Sequence, residues 1–258
     1  ACRDQFTVTV GTVFERSKVP LNKWLLATYL LSSSKKGYSA HQLHRTIGVT
    51  YKTAWFMFHR IREAMVESNP GPMGGEGKFV EVDETYVGGK ESNMHKSKRA
   101  PKDIAMDRKQ AVVTLVERNG AARSFHVANV TVKNLRTALV TNIDRKSHLM
   151  TDGYMAYRGI GREFASHGSV NHQKGEYARG STHSNTAENF FSILKRGVIG
   201  TYHHVSEAHL SRYLAEFDFR YSNRSGLGVN DTIRTDKVLV AIAGKRLTYR
   251  RTGQAAYA

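Results

Sequence analysis

The first quarter of the chain has the hydrophobic spacing of helices. Apolar residues recur three and four positions apart until the polar stretch Ser32–Gly37, which ends the first predicted helix. Ser39 can cap a second, short helix, and residues 48–50 turn the chain into a longer third helix. Two helices joined by a tight turn predict a helix-turn-helix DNA-binding region over residues 17–68. A small helical bundle with a solvated basic face has the same pattern.

The third helix carries the cations that could contact DNA. If this helix lies in a major groove, its basic side chains meet phosphates or base edges. His59 belongs to the same polar set. The candidate DNA-contacting residues in this helix are Lys52, Arg60 and Arg62.

A segment rich in proline and glycine, residues 69–77, is the predicted linker to a second domain. Beyond it the hydrophobic pattern changes from helical to strand periodicity, with a hairpin turn at residues 117–120. A strand-strand-strand-helix-strand order is predicted over residues 79–87, 111–116, 123–127, 132–143 and 148–151.

Two further helices are predicted, one from Asn185 and one from about residue 206 to 221. The basic stretch at residues 90–109 has little apolar content and predicts a mobile loop. Strands followed by helices in this order predict an α/β domain over residues 78–224. Residues 225–258 have weak periodicity and are predicted to form a C-terminal tail.

Charge and cysteine content narrow the possible functions. The chain has 39 Lys and Arg against 22 Asp and Glu, a net charge of +17 that is typical of proteins that bind nucleic acid. A single cysteine, Cys2, excludes an internal disulfide framework and fits a reducing cytoplasm. The apolar runs are far shorter than the roughly 18 residues of a membrane span, so no membrane partner is expected.

Three acidic residues are unusual for their positions. Asp83 lies in the middle of an apolar strand, where an unpaired carboxylate is costly. Asp152 ends the next buried strand, at the edge where open α/β sheets bind ligands, and Glu188 lies in the first turn of the helix that follows. Together they predict an acidic cluster that holds Mg²⁺ or Mn²⁺. Two such ions would clamp the attacking and leaving oxygens of a phosphodiester, so no protein nucleophile is required.

Each acidic residue is also compatible with a purely structural role. Asp83 could be a surface charge on an edge strand, and Asp152 could cap a turn with the following glycine. Glu188 could complete a capping box begun by Asn185, which is itself a possible oxygen ligand. Because Mg²⁺ prefers oxygen, the nearby histidines are expected to make hydrogen bonds or phosphate contacts. These histidines are His167, His172, His183, His203 and His204.

The spacing of the acidic residues and several short sequence stretches form a recognisable pattern. Thirty-five residues separate Asp152 from Glu188, and Lys195 follows Glu188 by seven. The remaining stretches of this pattern are Gln5–Thr9, Ser34–Gly37, Val82–Lys90, Thr151–Tyr154 and His183–Arg196. In these features the chain resembles the insertion-sequence transposases of the IS1595 (ISXO2-like) group, whose catalytic domain has a ribonuclease H fold with a DDE triad.

The resemblance implies a ribonuclease H-like mixed sheet flanked by helices, preceded by the small all-helical helix-turn-helix region. It implies that Asp83, Asp152 and Glu188 are the catalytic residues and the ligands of two Mg²⁺ or Mn²⁺ ions. It also implies that Lys195 contacts a substrate phosphate, and Arg196 beside it is a further candidate DNA contact.

Members of this group usually begin with a zinc ribbon of four cysteines. Residues 1–16 are therefore expected to be the remnant of a ribbon truncated upstream, with Cys2 as its last ligand. Zinc is expected only if an upstream ribbon is present in the full-length protein. Transposases of this kind hold two DNA ends together, which implies a homodimer or a larger synaptic assembly on double-stranded DNA.

The leading hypothesis is a bacterial, cytoplasmic, nucleoid-associated transposase that binds element ends and catalyses metal-dependent strand cleavage and strand transfer. One alternative is a structure-selective nuclease of the same fold, which would hydrolyse DNA without joining it. Another is a regulator that binds DNA through residues 17–68 alone. Asp83 argues against the regulator, because such a protein gains nothing from a costly buried carboxylate.

Overall fold

The computed structural model describes residues 7–89, 91–101, 108–172 and 175–248. Cys2, on which the zinc-ribbon prediction rests, lies outside these residues, as does part of the predicted basic loop. The chain forms two compact units: one joins the segment up to Glu67 to the segment from Val229, and the other is Ser68–Gly228.

Both units contain α-helices. The α-helices are α1 (Leu21–Ser33), α2 (Ala40–Ile47), α3 (Tyr51–Met65), α4 (Val132–Asn142), α5 (Tyr157–Gly161), α6 (Asn185–Gly197), α7 (Glu207–Ser222) and α8 (Asp231–Val240). Of these, α1, α2, α3 and α8 belong to the first unit, and α4 to α7 belong to the second. The strands are β1 (Phe79–Val87), β2 (Gln110–Glu117), β3 (Ala122–Val127), β4 (His148–Asp152) and β5 (Ser166–Val170). Within the described ranges, no helix has the length and hydropathy of a transmembrane span.

In the first unit, α2 and α3 lie where the hydrophobic spacing places them. Ser39 Oγ accepts a hydrogen bond from Gln42 N, and Thr50 Oγ1 accepts one from Thr53 N, so both helices begin at capped positions. Gly48 ends α2 with a φ of 63°, a left-handed conformation that glycine adopts without strain. A three-residue turn therefore separates the two helices.

The segment after residue 224 is not a simple tail, because it contains α8. This helix packs against α1 and α3, so the residues from Val229 belong to the first unit. The buried Arg234 donates hydrogen bonds from Nη1 to Ser32 O (3.2 Å) and from Nη2 to Val229 O (3.2 Å). A buried arginine on the inward face weakens the apolar periodicity, which is why the pattern does not indicate this helix.

The second unit contains a five-stranded mixed sheet with the order β3-β2-β1-β4-β5. β1 pairs antiparallel with β2 and parallel with β4; β3 is antiparallel to β2, and β5 is parallel to β4. The predicted mixed sheet flanked by helices, and preceded by helices along the chain, is confirmed. β5 has the sequence Ser-His-Gly-Ser-Val and a single apolar residue, so no strand pattern predicted it.

Both faces of the sheet are covered. Val80 and Val82 of β1 pack with residues of α4 and α5 on one face. Val87 packs with residues of α6 and α7 on the other face. β1 lies between β2 and β4, so its side chains are in the middle of the sheet.

We expect Arg234→Met to lower the free energy of unfolding of the first unit by about 2 kcal/mol, because it leaves the carbonyl groups of Ser32 and Val229 without their donor. Both tryptophans of the chain, Trp24 and Trp55, lie in this unit, so urea unfolding followed by tryptophan fluorescence reports on it. Lys237→Met on the exposed face of α8 is the matched control. Equal stability of the two variants would contradict the packing role of α8.

Candidate active site

Asp83 and Asp152 occupy neighbouring positions on adjacent parallel strands. Val82 pairs with Thr151 in the register of β1 and β4, and the next residue of each strand is an aspartate. Paired strands lie about 4.8 Å apart, and laterally adjacent residues point to the same face of a sheet. Because β1 is a central strand, the interpretation of Asp83 as an edge-strand surface charge is wrong.

The alternation of side chains along β1 sets the face on which the site lies. Val80 and Val82 pack towards α4 and α5, so Asp83 faces the opposite layer, which contains α6 and α7. α6 contacts β1 and begins at Asn185, which places Glu188 in its first turn. The fold therefore brings all three predicted acidic residues to one face of the sheet.

The negative charges of the site act on one another. Burial is the main cause that raises the pKa of Asp83 to about 7, against a hydrogen bond from Glu84 N that lowers it. The charges of Glu84, Asp152 and Glu188 raise this pKa further, so these carboxyl groups lie within electrostatic reach of Asp83. A cation bound among the carboxylates would offset this repulsion.

The donor set fits a divalent cation. Carboxylate oxygens are the ligands that Mg²⁺ and Mn²⁺ take, and the side chain of Glu188 is 48% exposed. As the side chains stand, no group of three Asp, Glu, His or Cys residues among those described could hold a metal ion. A cation held by all three residues would require their side chains to move from these positions.

Asp152 also forms a turn at the end of β4. Its Oδ1 accepts a hydrogen bond from Tyr154 N (3.0 Å), as expected of an aspartate that caps a turn. A cavity of about 180 Å³ beside it is lined in part by Arg158 and Arg179. Arg179 lies 3.5 Å from Glu176 in an ion pair, whereas Arg158 offers a positive charge next to Asp152.

The surroundings of Glu188 differ from a capping box. The residue before α6 is Ser184, not Asn185, and its side chain makes no capping hydrogen bond to a described residue. His172 Nδ1 lies 3.4 Å from Glu188 Oε1, and His172 Nε2 lies 3.2 Å from Ser184 Oγ. Similarly, His167 Nε2 lies 2.8 Å from Thr151 Oγ1, so both histidines lie within hydrogen-bonding distance of a hydroxyl oxygen.

The predicted DNA-contacting residues of α6 are exposed. Lys195 follows Glu188 by seven residues, two helical turns or about 10.5 Å along the axis, and therefore lies on the same side of α6. Arg196 is also exposed, and its Nε donates a hydrogen bond to Ser192 O (3.1 Å).

The predicted contacts of α3 divide into one exposed and two buried residues. Lys52 is exposed in the first turn. Arg60 and Arg62 are only 6% and 1% exposed, which corrects their assignment as DNA contacts. Arg60 Nη2 donates to Glu15 O (2.6 Å), and Arg62 lies over the ring of Phe58 at 5.7 Å. Burial lowers the pKa of Arg60.

Two acidic residues near the site were not predicted. Glu81 precedes Asp83 by two residues on the same face of β1, and the period of two is the signal that could have found it. Glu84 Oε2 accepts a hydrogen bond from the hydroxyl of Tyr157 (2.5 Å). Burial is the main cause that raises the pKa of Glu84, and the charge of Asp152 adds to it.

The chain is similar in sequence to proteins of transposable elements. A family model described as the ISXO2-like transposase domain matches residues 74–222. An uncharacterized protein in transposable element ISH50 of Halobacterium salinarum is 31% identical over 229 residues, which are 85% of this chain and 76% of that protein.

Solved structures that match the chain do so at low identity. The Mos1 strand transfer complex is 12% identical with a TM-score of 0.36, over 92% of this chain and 82% of that one. The Mos1 transposase paired-end complex with left transposon end is 12% identical with a TM-score of 0.35, over 88% and 81%. A simian T-cell lymphotropic virus intasome in complex with PP2A regulatory subunit B56 gamma is 16% identical with a TM-score of 0.34, and this chain spans 63% of that one.

We expect Asp83→Asn to raise the free energy of unfolding by about 1–2 kcal/mol at pH 8 in EDTA, because it removes a buried charge that neighbouring carboxylates repel. The pKa of Asp83 rises from 3.8 to about 7 on folding, so the wild type should lose stability as pH rises through that interval. Asp83→Asn should not show the part of this stability loss that comes from ionisation of the Asp83 carboxyl group.

Urea unfolding between pH 4 and 8 measures this difference. Glu76→Gln, a change at an exposed carboxylate of the same unit, is the control and should follow the wild type. An Asp83→Asn profile that also follows the wild type would show that the site carries no electrostatic cost.

Proposed function

The chain belongs to the ISXO2-like transposase family, and we propose that it is a transposase that binds the ends of an insertion element and catalyses metal-dependent cleavage and transfer of DNA strands. One observation supports this proposal most strongly. Asp83 and Asp152 lie side by side on central parallel strands, on the face where α6 presents Glu188. This arrangement joins residues that are far apart in the sequence.

In this proposal, Asp83, Asp152 and Glu188 hold two Mg²⁺ or Mn²⁺ ions. When bound, these ions supply nucleophile activation and neutralise charge on the scissile phosphate. The two strand-borne aspartates provide a rigid part of the site. Glu188, whose side chain is half exposed, provides the part that adjusts when a cation and DNA are present.

Cationic side chains near the site are proposed to hold the DNA backbone. The proposed phosphate contacts are Lys195 and Arg196, which are exposed on α6, and Arg158, which lines the cavity beside Asp152. The net charge of +17 favours the approach of DNA from a distance. We further propose a homodimer or larger assembly that holds two DNA ends in the bacterial nucleoid, with zinc bound only where an upstream ribbon exists.

The sequence-specific part of DNA binding is proposed to lie in α2 and α3. In helix-turn-helix proteins, the N-terminal residues of the second helix contact base edges. Here Tyr51 and Lys52 are exposed at the start of α3, while its later cations are buried. This restricts the proposed contact to the first turn of the helix.

Asp83→Asn, Asp152→Asn and Glu188→Gln should each reduce strand cleavage and strand transfer by roughly a hundredfold or more, because each removes a metal ligand. The assay uses the terminal repeats that flank the gene, a target plasmid, and Mg²⁺ or Mn²⁺. Glu76→Gln, which changes an exposed acid of the same unit, should keep wild-type activity.

The products of the wild-type reaction distinguish the alternatives. Joined DNA supports a transposase, hydrolysis without joining supports a nuclease, and metal-independent binding without cleavage supports a regulator. Near-wild-type activity in any one of the three variants would remove that residue from the proposed triad.

Lys52→Ala should weaken binding to terminal-repeat DNA about tenfold and reduce the dependence of log Kd on log salt by about one. Fluorescence anisotropy at several salt concentrations measures both quantities. Lys18→Ala removes an exposed lysine of the same unit that no proposed contact uses. An equal loss of affinity in this control would show that Lys52 contributes only general positive charge.

A further inference from the structure

Glu81 is a buried carboxylate at the contact between β1 and α6. It is 0% exposed and lies on the face of β1 that carries Asp83. Its Oε2 accepts hydrogen bonds from Thr186 N (2.7 Å) and Ala187 N (3.1 Å). Its Oε1 accepts one from Thr186 Oγ1 (2.8 Å). A strand carboxylate therefore binds the first turn of the helix that carries Glu188.

These hydrogen bonds replace a missing local cap. The first N–H groups of a helix have no partner within the helix and are normally satisfied by a side chain just before it. The side chain of Ser184 makes no capping hydrogen bond among the described residues. Glu81 satisfies these N–H groups from another element, and its negative charge is favourable at the positive end of the helix.

Arg118 extends the same connection to the segment before α6. Its Nε lies 2.6 Å from Glu81 Oε1, which compensates the buried charge. Its Nη1 donates to Ser181 O (2.8 Å) and its Nη2 donates to His183 O (3.0 Å). The guanidinium also lies 5.0 Å from the ring of Phe79, so it is packed as well as hydrogen-bonded.

Glu81 and its hydrogen-bond partner Ala187 are each close in the chain to a residue of the proposed triad. Glu81 is two residues, about 6.8 Å, from Asp83 along the strand. Ala187, whose N–H it binds, is directly bonded to Glu188. A change in the Glu81 contacts would therefore act on the backbone next to Glu188 without altering Glu188 or Asp83.

We propose that Glu81 is a positioning residue, which with Arg118 and Thr186 fixes the distance between Glu188 and Asp83 for metal binding. This inference rests on the proposed function of the acidic triad. Glu81 is not a further metal ligand, because its two oxygens already accept four hydrogen bonds and Oε1 also lies 3.1 Å from His183 Nδ1.

The test combines two variants with two readouts that do not depend on catalysis. Glu81→Gln removes the charge, and Thr186→Val removes one hydroxyl donor while Glu81 stays in place. Calorimetric titration with Mn²⁺ in the absence of DNA measures metal affinity. Hydrogen exchange by mass spectrometry measures the opening of the first turn of α6.

Glu81→Gln should weaken Mn²⁺ binding about tenfold or more, and Thr186→Val about threefold, with faster exchange in both. Glu216→Gln is the matched control, since Glu216 is also fully buried and paired with an arginine, Arg220, in the same unit. It should lower the melting temperature while the affinity for Mn²⁺ stays at the wild-type value.

Three results would overturn the positioning role. Unchanged Mn²⁺ affinity in Glu81→Gln is the first, and equal weakening by Glu216→Gln is the second. Loss of all binding in Glu81→Gln with wild-type binding in Thr186→Val is the third, since it would make Glu81 a ligand. Failure of the proposed function gives a different result: wild type and Asp83→Asn would then bind Mn²⁺ equally weakly, while exchange would still report on the contact with α6.

Discussion

The candidate site depends on the parallel pairing of β1 with β4. A shift of one residue in this register would turn one of the two aspartates to the opposite face of the sheet. The register is held by burial of Val80 and Val82 of β1, and Leu149 of β4, against the α4 side. Hydrophobic packing on one face therefore places Asp83 and Asp152 next to each other on the other.

Glu81 and Asp83 lie on the same face of β1, but their negative charges are in different surroundings. Glu81 is compensated by Arg118 and by the N–H groups of α6, so its charge stabilises the fold. Burial is the main cause that raises the pKa of Asp83, and the neighbouring negative charges raise it further. A protein keeps such an unfavourable group where function requires it, and a divalent cation is the partner that would offset the cost.

Sequence patterns predicted the elements with strong apolar periodicity and missed those without it. β1, β2, β3 and α4 have such periodicity, whereas β5 has one apolar residue and α8 buries Arg234. Asp83 could be singled out from the sequence because an aspartate within an apolar strand is anomalous. The burial of Arg62 and the role of Glu81 could not be predicted from the sequence, because each depends on tertiary contacts. Glu81 and Ala187, for example, are separated by 106 positions in the sequence.

Anomalous diffraction from crystals of the protein with Mn²⁺ tests the convergence of the triad most directly. The account predicts a manganese peak about 2.1 Å from carboxylate oxygens of Asp83 and Asp152, with the Glu188 side chain turned towards it. A manganese peak bound elsewhere, with these three carboxylates unligated at a saturating Mn²⁺ concentration, would contradict it.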